Sequence, residues 1–208
     1  TAPAARAALL RQVAERYGHQ VRNAELAFVT AGRALAADPD APESLALAVG
    51  FGLQAGLGEE LSALLAENVD RAHEPAVRAE YQRHLARLEQ DPARAAEAWQ
   101  RLLDIDGEDR EATAGLLGAL RGGADAEGLE KALRRALALE EAPAARARLL
   151  ADLAALQDER LGDGPGAVVT LKRLLELAPS DRDALARLDR LCVAGERWVE
   201  LGDVLTRE

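Results

Sequence analysis

The chain has 208 residues, with 36 acidic against 26 basic side chains and a formal net charge of −10, so it lacks the basic face that nonspecific nucleic-acid binding requires. Its one cysteine, Cys192, excludes an internal disulfide. Aromatics are 3% of the chain and Ile105 is the sole isoleucine, which leaves few strand formers and points to an all-α fold. No stretch approaches the ~18 uninterrupted apolar residues of a membrane span, and the start has no charged-then-apolar signal pattern. Cytoplasm is therefore the expected compartment, unless a signal precedes Thr1. Lys131 and Lys172 are the only lysines beside many arginines, the bias of a high-GC bacterial gene.

Along the chain, helical segments end in apolar turns followed by a breaker. Leu35 runs to Pro39, Leu103 to Gly107, Leu137 to Glu141 and Leu175 to Pro179, with His73 in the same column. The breaker positions 39, 73, 107, 141 and 179 are separated by 34, 34, 34 and 38 residues. Four extra residues are close to the ~3.6 of one α-helical turn, so the longer step keeps its apolar face in register. The period predicts units of two helices each at about 4–41, 42–75, 76–109, 110–143, 144–181 and 182–208, in a single domain over 1–208. Helix stops agree with these units: Asp38-Pro39-Asp40-Ala41-Pro42, Gly122-Gly123 and Gly162-Asp163-Gly164-Pro165-Gly166 break helices, while Pro75, Pro92 and Pro143 suit first turns.

A longer repeat overlies the short one. Residues 3–68 lie over 143–208 without a gap. Pro3-Ala4-Ala5-Arg6-Ala7 meets Pro143-Ala144-Ala145-Arg146-Ala147, Leu9-Leu10 meets Leu149-Leu150, and Val29-Thr30 meets Val169-Thr170. Pro39 meets Pro179 and Glu60-Leu61 meets Glu200-Leu201. Such self-similarity at a fixed period is the signature of a repeat architecture.

The 34-residue period resembles that of the tetratricopeptide repeat. Its small-or-apolar column in the second helix reads Ala27, Leu61, Ala95, Leu129, Ala167 and Leu201. The large apolar column four residues on reads Ala31, Leu65, Trp99, Leu133, Leu171 and Leu205, and the basic column Arg33, Glu67, Arg101, Arg135, Arg173 and Arg207. The first-helix signature is eroded: Leu116-Leu117 and Leu188-Asp189 keep the leucine and lose the glycine. The chain thus looks like a divergent member of that family. The resemblance implies an all-α, right-handed α-α superhelix of about six units, a solenoid in which adjacent units cover apolar stripes that no single unit can bury.

The resemblance also implies a non-catalytic scaffold whose first helices line a groove for a peptide or partner helix. Carrying the groove columns over gives Arg16, Gln54, His84, Arg87, Gly118, Arg121, Arg148, Asp152 and Arg190. The family's Lys/Asn clamp for a peptide C-terminus is missing, since no Asn occupies these columns. Arg87, Arg121, Arg148 and Arg190 are expected to form a basic rung that attracts an acidic peptide. Against this, Glu80, Glu111, Asp152 and Asp183 interleave and would neutralise the rung on a solvated face. The alternative is a self-assembling array that mates through the amphipathic segment Trp198–Leu205. With no methionine and a sixth unit seven residues short, the chain reads as a fragment of a longer array.

Other motifs carry no chemistry. His19, His73 and His84 lack metal spacing, so no metal or cofactor is expected. Gly50-Phe51-Gly52 mimics a dinucleotide fingerprint but follows a helix, where the fingerprint needs a strand. Cys192 falls on an apolar helix face and reads as a small buried side chain. Asp104/Asp106 and Asp181/Asp183 flank helix ends, where they serve as caps and dipole partners.

Overall fold

The computed structural model describes residues 3–194. They form α1 (Pro3–His19), α2 (Ala24–Ala37), α3 (Pro42–Gln54), α4 (Gly58–Val69), α5 (Pro75–Leu88), α6 (Pro92–Ile105), α7 (Arg110–Leu120), α8 (Ala126–Leu139), α9 (Pro143–Glu159), α10 (Gly164–Leu177) and α11 (Arg182–Ala194), with no strand among the described residues. The protein is all-α. The apolar columns Leu201 and Leu205 and the segment Trp198–Leu205 lie outside the described residues. The chain divides into two compact units between Gly115 and Leu116.

Two kinds of helix start alternate, and the sequence explains both. The first helix of a pair begins on proline in α3, α5 and α9, where the missing N–H is no loss and φ is already helical. Most second helices begin on an Asx cap. Asn23, Asp91, Asp125 and Asp163 each accept the amide three residues on, from Leu26, Arg94, Gly128 and Gly166, at 2.8–2.9 Å. Each satisfies one of the four amides a helix start leaves unpaired. The breakers Pro39, His73, Gly107, Glu141 and Pro179 all fall in the turns between pairs. The four-residue surplus of the longer step sits in α1 and α9, which have 17 residues where α3 and α11 have 13.

The long repeat is reproduced in detail at the turn after each 17-residue helix. The Gln20 and Val21 amides both donate to Arg16 O, and Asn23 N to Tyr17 O; their equivalents Arg160 and Leu161 donate to Leu156 O, and Asp163 N to Gln157 O. Both turns need a left-handed residue. In one it is Gly162, at φ 64°, and in the other Arg22, at φ 57°. An L-residue pays about 1–2 kcal/mol for that conformation, so the first turn is the strained copy.

The core follows the columns read from the period. Ala27, Leu61, Ala95, Leu129 and Ala167 are buried, as are Ala31, Leu65, Trp99, Leu133 and Leu171, while Arg33, Glu67, Arg101 and Arg173 of the next column stay exposed. In the first unit, Phe28, Leu35, Leu45, Phe51, Leu61, Leu65 and Tyr81 from α2 to α5 share one cluster. In the second, Leu150, Val168, Leu171, Leu174, Leu188 and Cys192 from α9 to α11 share another. Glycine admits the large rings: a Cβ on Gly115 would lie 2.3 Å from Trp99, and one on Gly18 would lie 2.2 Å from Phe51.

Polar stitches tie one pair to the next. Asp40 Oδ1 accepts the amides of His73 and Glu74 at 2.7 and 2.9 Å, and these bonds, the Glu74 amide first, hold its carboxyl below the usual range. Arg71 donates to Ala36 O at 2.8 Å and to the buried Asn68 at 2.8 Å. The Tyr81 hydroxyl, whose pKa burial pushes up, donates to Pro39 O at 3.1 Å. Asp40 and Arg71 stand in the turns themselves, and Tyr81 reaches from α5 to a turn carbonyl, where backbone groups lack helical partners.

Three stability changes follow. Gly115→Ala should cost about 1–3 kcal/mol by overpacking against Trp99, and Trp99→Ala about 3–5 kcal/mol, both read as lowered urea midpoints. Arg22→Gly should raise the stability by about 0.5–1 kcal/mol, read as a higher urea midpoint, the relief of left-handed strain less the extra chain entropy of glycine. A drop in stability for Arg22→Gly contradicts the strain account.

Candidate functional site

The first-helix face differs between the two units. In the first unit, Arg16 and Gln54 are exposed at the C-terminal ends of α1 and α3. His84 and Arg87 lie on α5, where most of the charge is already matched. Arg83 is largely buried and bonds Glu80, Asp109 at 2.5 Å and Glu111 at 3.4 Å. Arg87 reaches the same Glu111 at 2.6 Å. Burial pushes the Asp109 carboxyl up, but the Ala112 amide and the Arg83 guanidinium outweigh it and hold the carboxyl low. His84 sits half-buried beside this network, and burial, then the neighbouring Arg87, lowers its pKa, so the imidazole is neutral at pH 7. Sequence reasoning missed Arg83, the hub of the network. Its partners Asp109, just before the next first helix, and Glu111, in its first turn, lie 26 and 28 positions away, beyond any helical spacing.

In the second unit, three of the expected residues come together. Arg121, Arg148 and Asp152 border a cleft of about 720 Å³ on α9, backed by the buried Leu129, Leu133 and Leu156. Arg121 pairs with Asp152 at 2.9 Å, while Arg148 is exposed and forms no ion pair among the described residues. Two further residues complete the rim. Arg160 donates to Gly123 O at 2.7 Å, and Glu159 is engaged by Arg187 at 3.0 Å. Arg148, Asp152, Ala155 and Glu159 follow the i, i+4, i+7, i+11 stripe of a helix, a signal that would have found Glu159 and its neighbour Arg160. Gly118 is exposed, with open space where a Cβ would stand. Arg190 pairs with Asp158. Thus Arg87, Arg121 and Arg190 each carry a carboxylate partner. Glu111 and Asp152 supply two of these partners, and the amide of Asp183 instead donates to Asp181.

A second cleft, of about 550 Å³, lies where α8, α9 and α10 meet, with Leu150, Leu153 and Val169 in its lining and Arg134, Arg146 and Arg173 among its cations. Beneath it runs a buried polar thread: Thr170 donates to Gln157 at 2.7 Å, and Gln157 donates to Glu130 at 3.0 Å. Each member has a partner, which is the condition for tolerating polar atoms in such a core.

Elsewhere the polar candidates serve the fold. The Gly50–Gly52 stretch lies inside α3, with Gly52 close to Phe28 and Leu61. Asp181 accepts the Asp183 and Ala184 amides at the start of α11, and Asp106 caps α6. Cys192 is buried. Among the described residues no three His, Cys, Asp or Glu side chains converge as a metal site, and no helix is long and apolar enough to cross a membrane.

No family model matches the chain, and no curated protein is similar to it in sequence. Solved structures do align with it. YrrB, a TPR protein with an unusual peptide-binding site, is 16% identical over 85% of this chain and 89% of its own, with a TM-score of 0.51. PilF of Pseudomonas aeruginosa is 17% identical over 90% of this chain and 82% of its own, with a TM-score of 0.52. MamA from residue 41 to its end, from Desulfovibrio magneticus RS-1, is 17% identical over 85% and 97%, with a TM-score of 0.50. At these identities the likeness speaks for the fold, and that fold is the TPR-like helical repeat.

Proposed function

We propose that the protein is a non-catalytic, cytoplasmic interaction scaffold and that the α9 cleft is where it captures an acidic peptide segment. The observation that carries this reading is the convergence of Arg121, Arg148 and Arg160 over a leucine-backed cleft, on a chain whose net charge is −10. Asp152 and Glu159 offset part of that charge, but each already faces an arginine of its own. Arg148 is left as an exposed guanidinium with donors to spare, and a carboxylate meets that planar fork with two parallel hydrogen bonds. An incoming carboxylate also competes with Asp152 for Arg121, so one peptide side chain can exchange a surface ion pair for its own. Exposed pairs of this kind are worth only about 0.2–1 kcal/mol, so displacing the Arg121–Asp152 pair is cheap.

The apolar lining complements the charge. Between two acidic side chains, a leucine of the peptide would lie against Ala155 and the edges of Leu129 and Leu133. In the first unit, by contrast, the Arg83 and Arg87 charges are matched by Glu80, Asp109 and Glu111, so α5 offers an acidic ligand little.

The test is fluorescence anisotropy with a labelled peptide alternating glutamate and leucine. Arg121→Glu combined with Arg148→Glu should weaken binding at least tenfold, about 1.4 kcal/mol or more, and raising salt should weaken the native interaction. Arg87→Glu alone should leave it unchanged. Equal affinity in native and doubly reversed proteins would remove the cleft from consideration.

A further inference from the structure

Within the compact units, three first helices are flanked by a second helix on either side: α3 by α2 and α4, α5 by α4 and α6, and α9 by α8 and α10. In the third set the flanking helices border the cleft of about 550 Å³. Its floor is apolar. Leu150 and Leu153 of α9 are buried there, and Val169 of α10 stands 52% exposed at the side. Arg134 lines it from α8, Arg146 from α9 and Arg173 from α10, and no carboxylate lines it among the described residues.

The repeat columns make this lining particular to one set. Where α8 has Arg134, the corresponding positions of α2 and α4 hold Gly32 and Ala66. Where α10 has Val169 and Arg173, α4 has Ala63 and Glu67, and α6 has Glu97 and Arg101. Arg101 is engaged by Glu97 of its own helix at 3.6 Å, whereas Arg173 forms no ion pair among the described residues. Arg134 pairs with Glu130, one turn back, at 2.9 Å. Arg146 uses one nitrogen on Leu137 O and Glu140 O, at 2.9 and 2.8 Å, and so closes the end of α8. Only the α8–α10 set carries arginine on both flanking helices.

We infer that this cleft binds a medium-chain aliphatic carboxylate, with its head on Arg173 and Arg134 and its chain along Leu150, Leu153 and Val169. The head follows from the charge, because a guanidinium offers a planar fork that a carboxylate meets with paired hydrogen bonds. The Arg134 side chain is 57% exposed, so its ion pair is readily exchanged, and Glu130 keeps the Gln157 amide when that happens. The chain follows from the floor. Its buried polar atoms are spent on one another, Thr170 on Gln157 and Gln157 on Glu130. A peptide laid there would leave backbone N–H groups without acceptors, and an alkyl chain has none to satisfy. Clefts of this volume hold small molecules in an apolar lining with a few polar anchors. The cleft shares no lining residue with the α9 cleft, so it stands or falls independently of the acidic-peptide reading.

The probe is sodium decanoate, titrated onto the full chain by isothermal calorimetry. Saturable binding is expected, and Arg134→Ala plus Arg173→Ala should weaken it at least tenfold. Val169→Glu, which introduces the residue type of the α6 column, should weaken it as much. These side chains are exposed, so both variants keep the fold. Arg101→Ala, at the matching position of α6, is the control expected to bind normally, and decanol should bind at least tenfold more weakly than decanoate. Absence of saturable binding overturns the inference, as does an affinity unchanged in both variants or equal affinity for decanol. A glutamate–leucine peptide whose binding is lost with Arg134→Ala plus Arg173→Ala, yet survives Arg121→Glu plus Arg148→Glu, would make the occupant a peptide and overturn it too.

Discussion

Within each compact unit, the described pairs of helices carry more apolar surface than two helices can hide from water, and a neighbouring pair supplies the missing cover. That constraint explains why Leu61 and Leu65 of α4 are fully buried although α4 is only 12 residues long. A helix of that length is marginal in water by itself. Its leucines are enclosed by Phe28 and Leu35 of the preceding pair and Val77 and Tyr81 of the following one. Small residues set how close the layers come. Ala27 and Ala31 lie between α2 and its neighbours with no exposed surface, and Gly115 leaves room for the Trp99 indole.

Direction and register are fixed by polar groups at the turns. The Asp40 carboxylate, the Tyr81 hydroxyl and the Arg71 and Arg146 guanidinium groups all reach backbone atoms that helix ends leave without partners. Such bonds contribute little each, about 0.5–1.5 kcal/mol, but they are directional where apolar packing is not. A slip of one pair along its neighbour would break them together while leaving much of the leucine contact intact. The same economy appears in the Arg83 network, which joins α5 to the start of α7 and matches charge on a face that would otherwise hold several like charges.

Much of this was legible in the sequence, because a period is a strong signal and its physical cause is local. The breaker spacing places all five described inter-pair turns, and the buried columns follow from helical geometry once the phase is known. The surplus turn in α1 and α9 was readable as four extra residues. What escaped was non-local. Arg83 meets Asp109 only because two first helices lie side by side, and nothing in a 26-residue separation announces that. Arg160 was hidden in a turn, where its guanidinium finds Gly123 O across 37 positions. The basic rung was legible as residues but not as charges, since pairing depends on side-chain reach. The left-handed Arg22 could be seen only by setting it against Gly162, its counterpart in the other half. The division between Gly115 and Leu116 had no linker to mark it, because it falls inside α7.

The central claim is that a single helical pair cannot fold without its neighbours. The most direct measurement is urea unfolding, followed by circular dichroism, of the isolated residues 3–41, which comprise only α1 and α2, compared with the full chain. The account predicts a cooperative transition for the full chain and a weakly helical, non-cooperative signal for the isolated pair. A cooperative transition in the isolated pair, with a midpoint near that of the full chain, would contradict it.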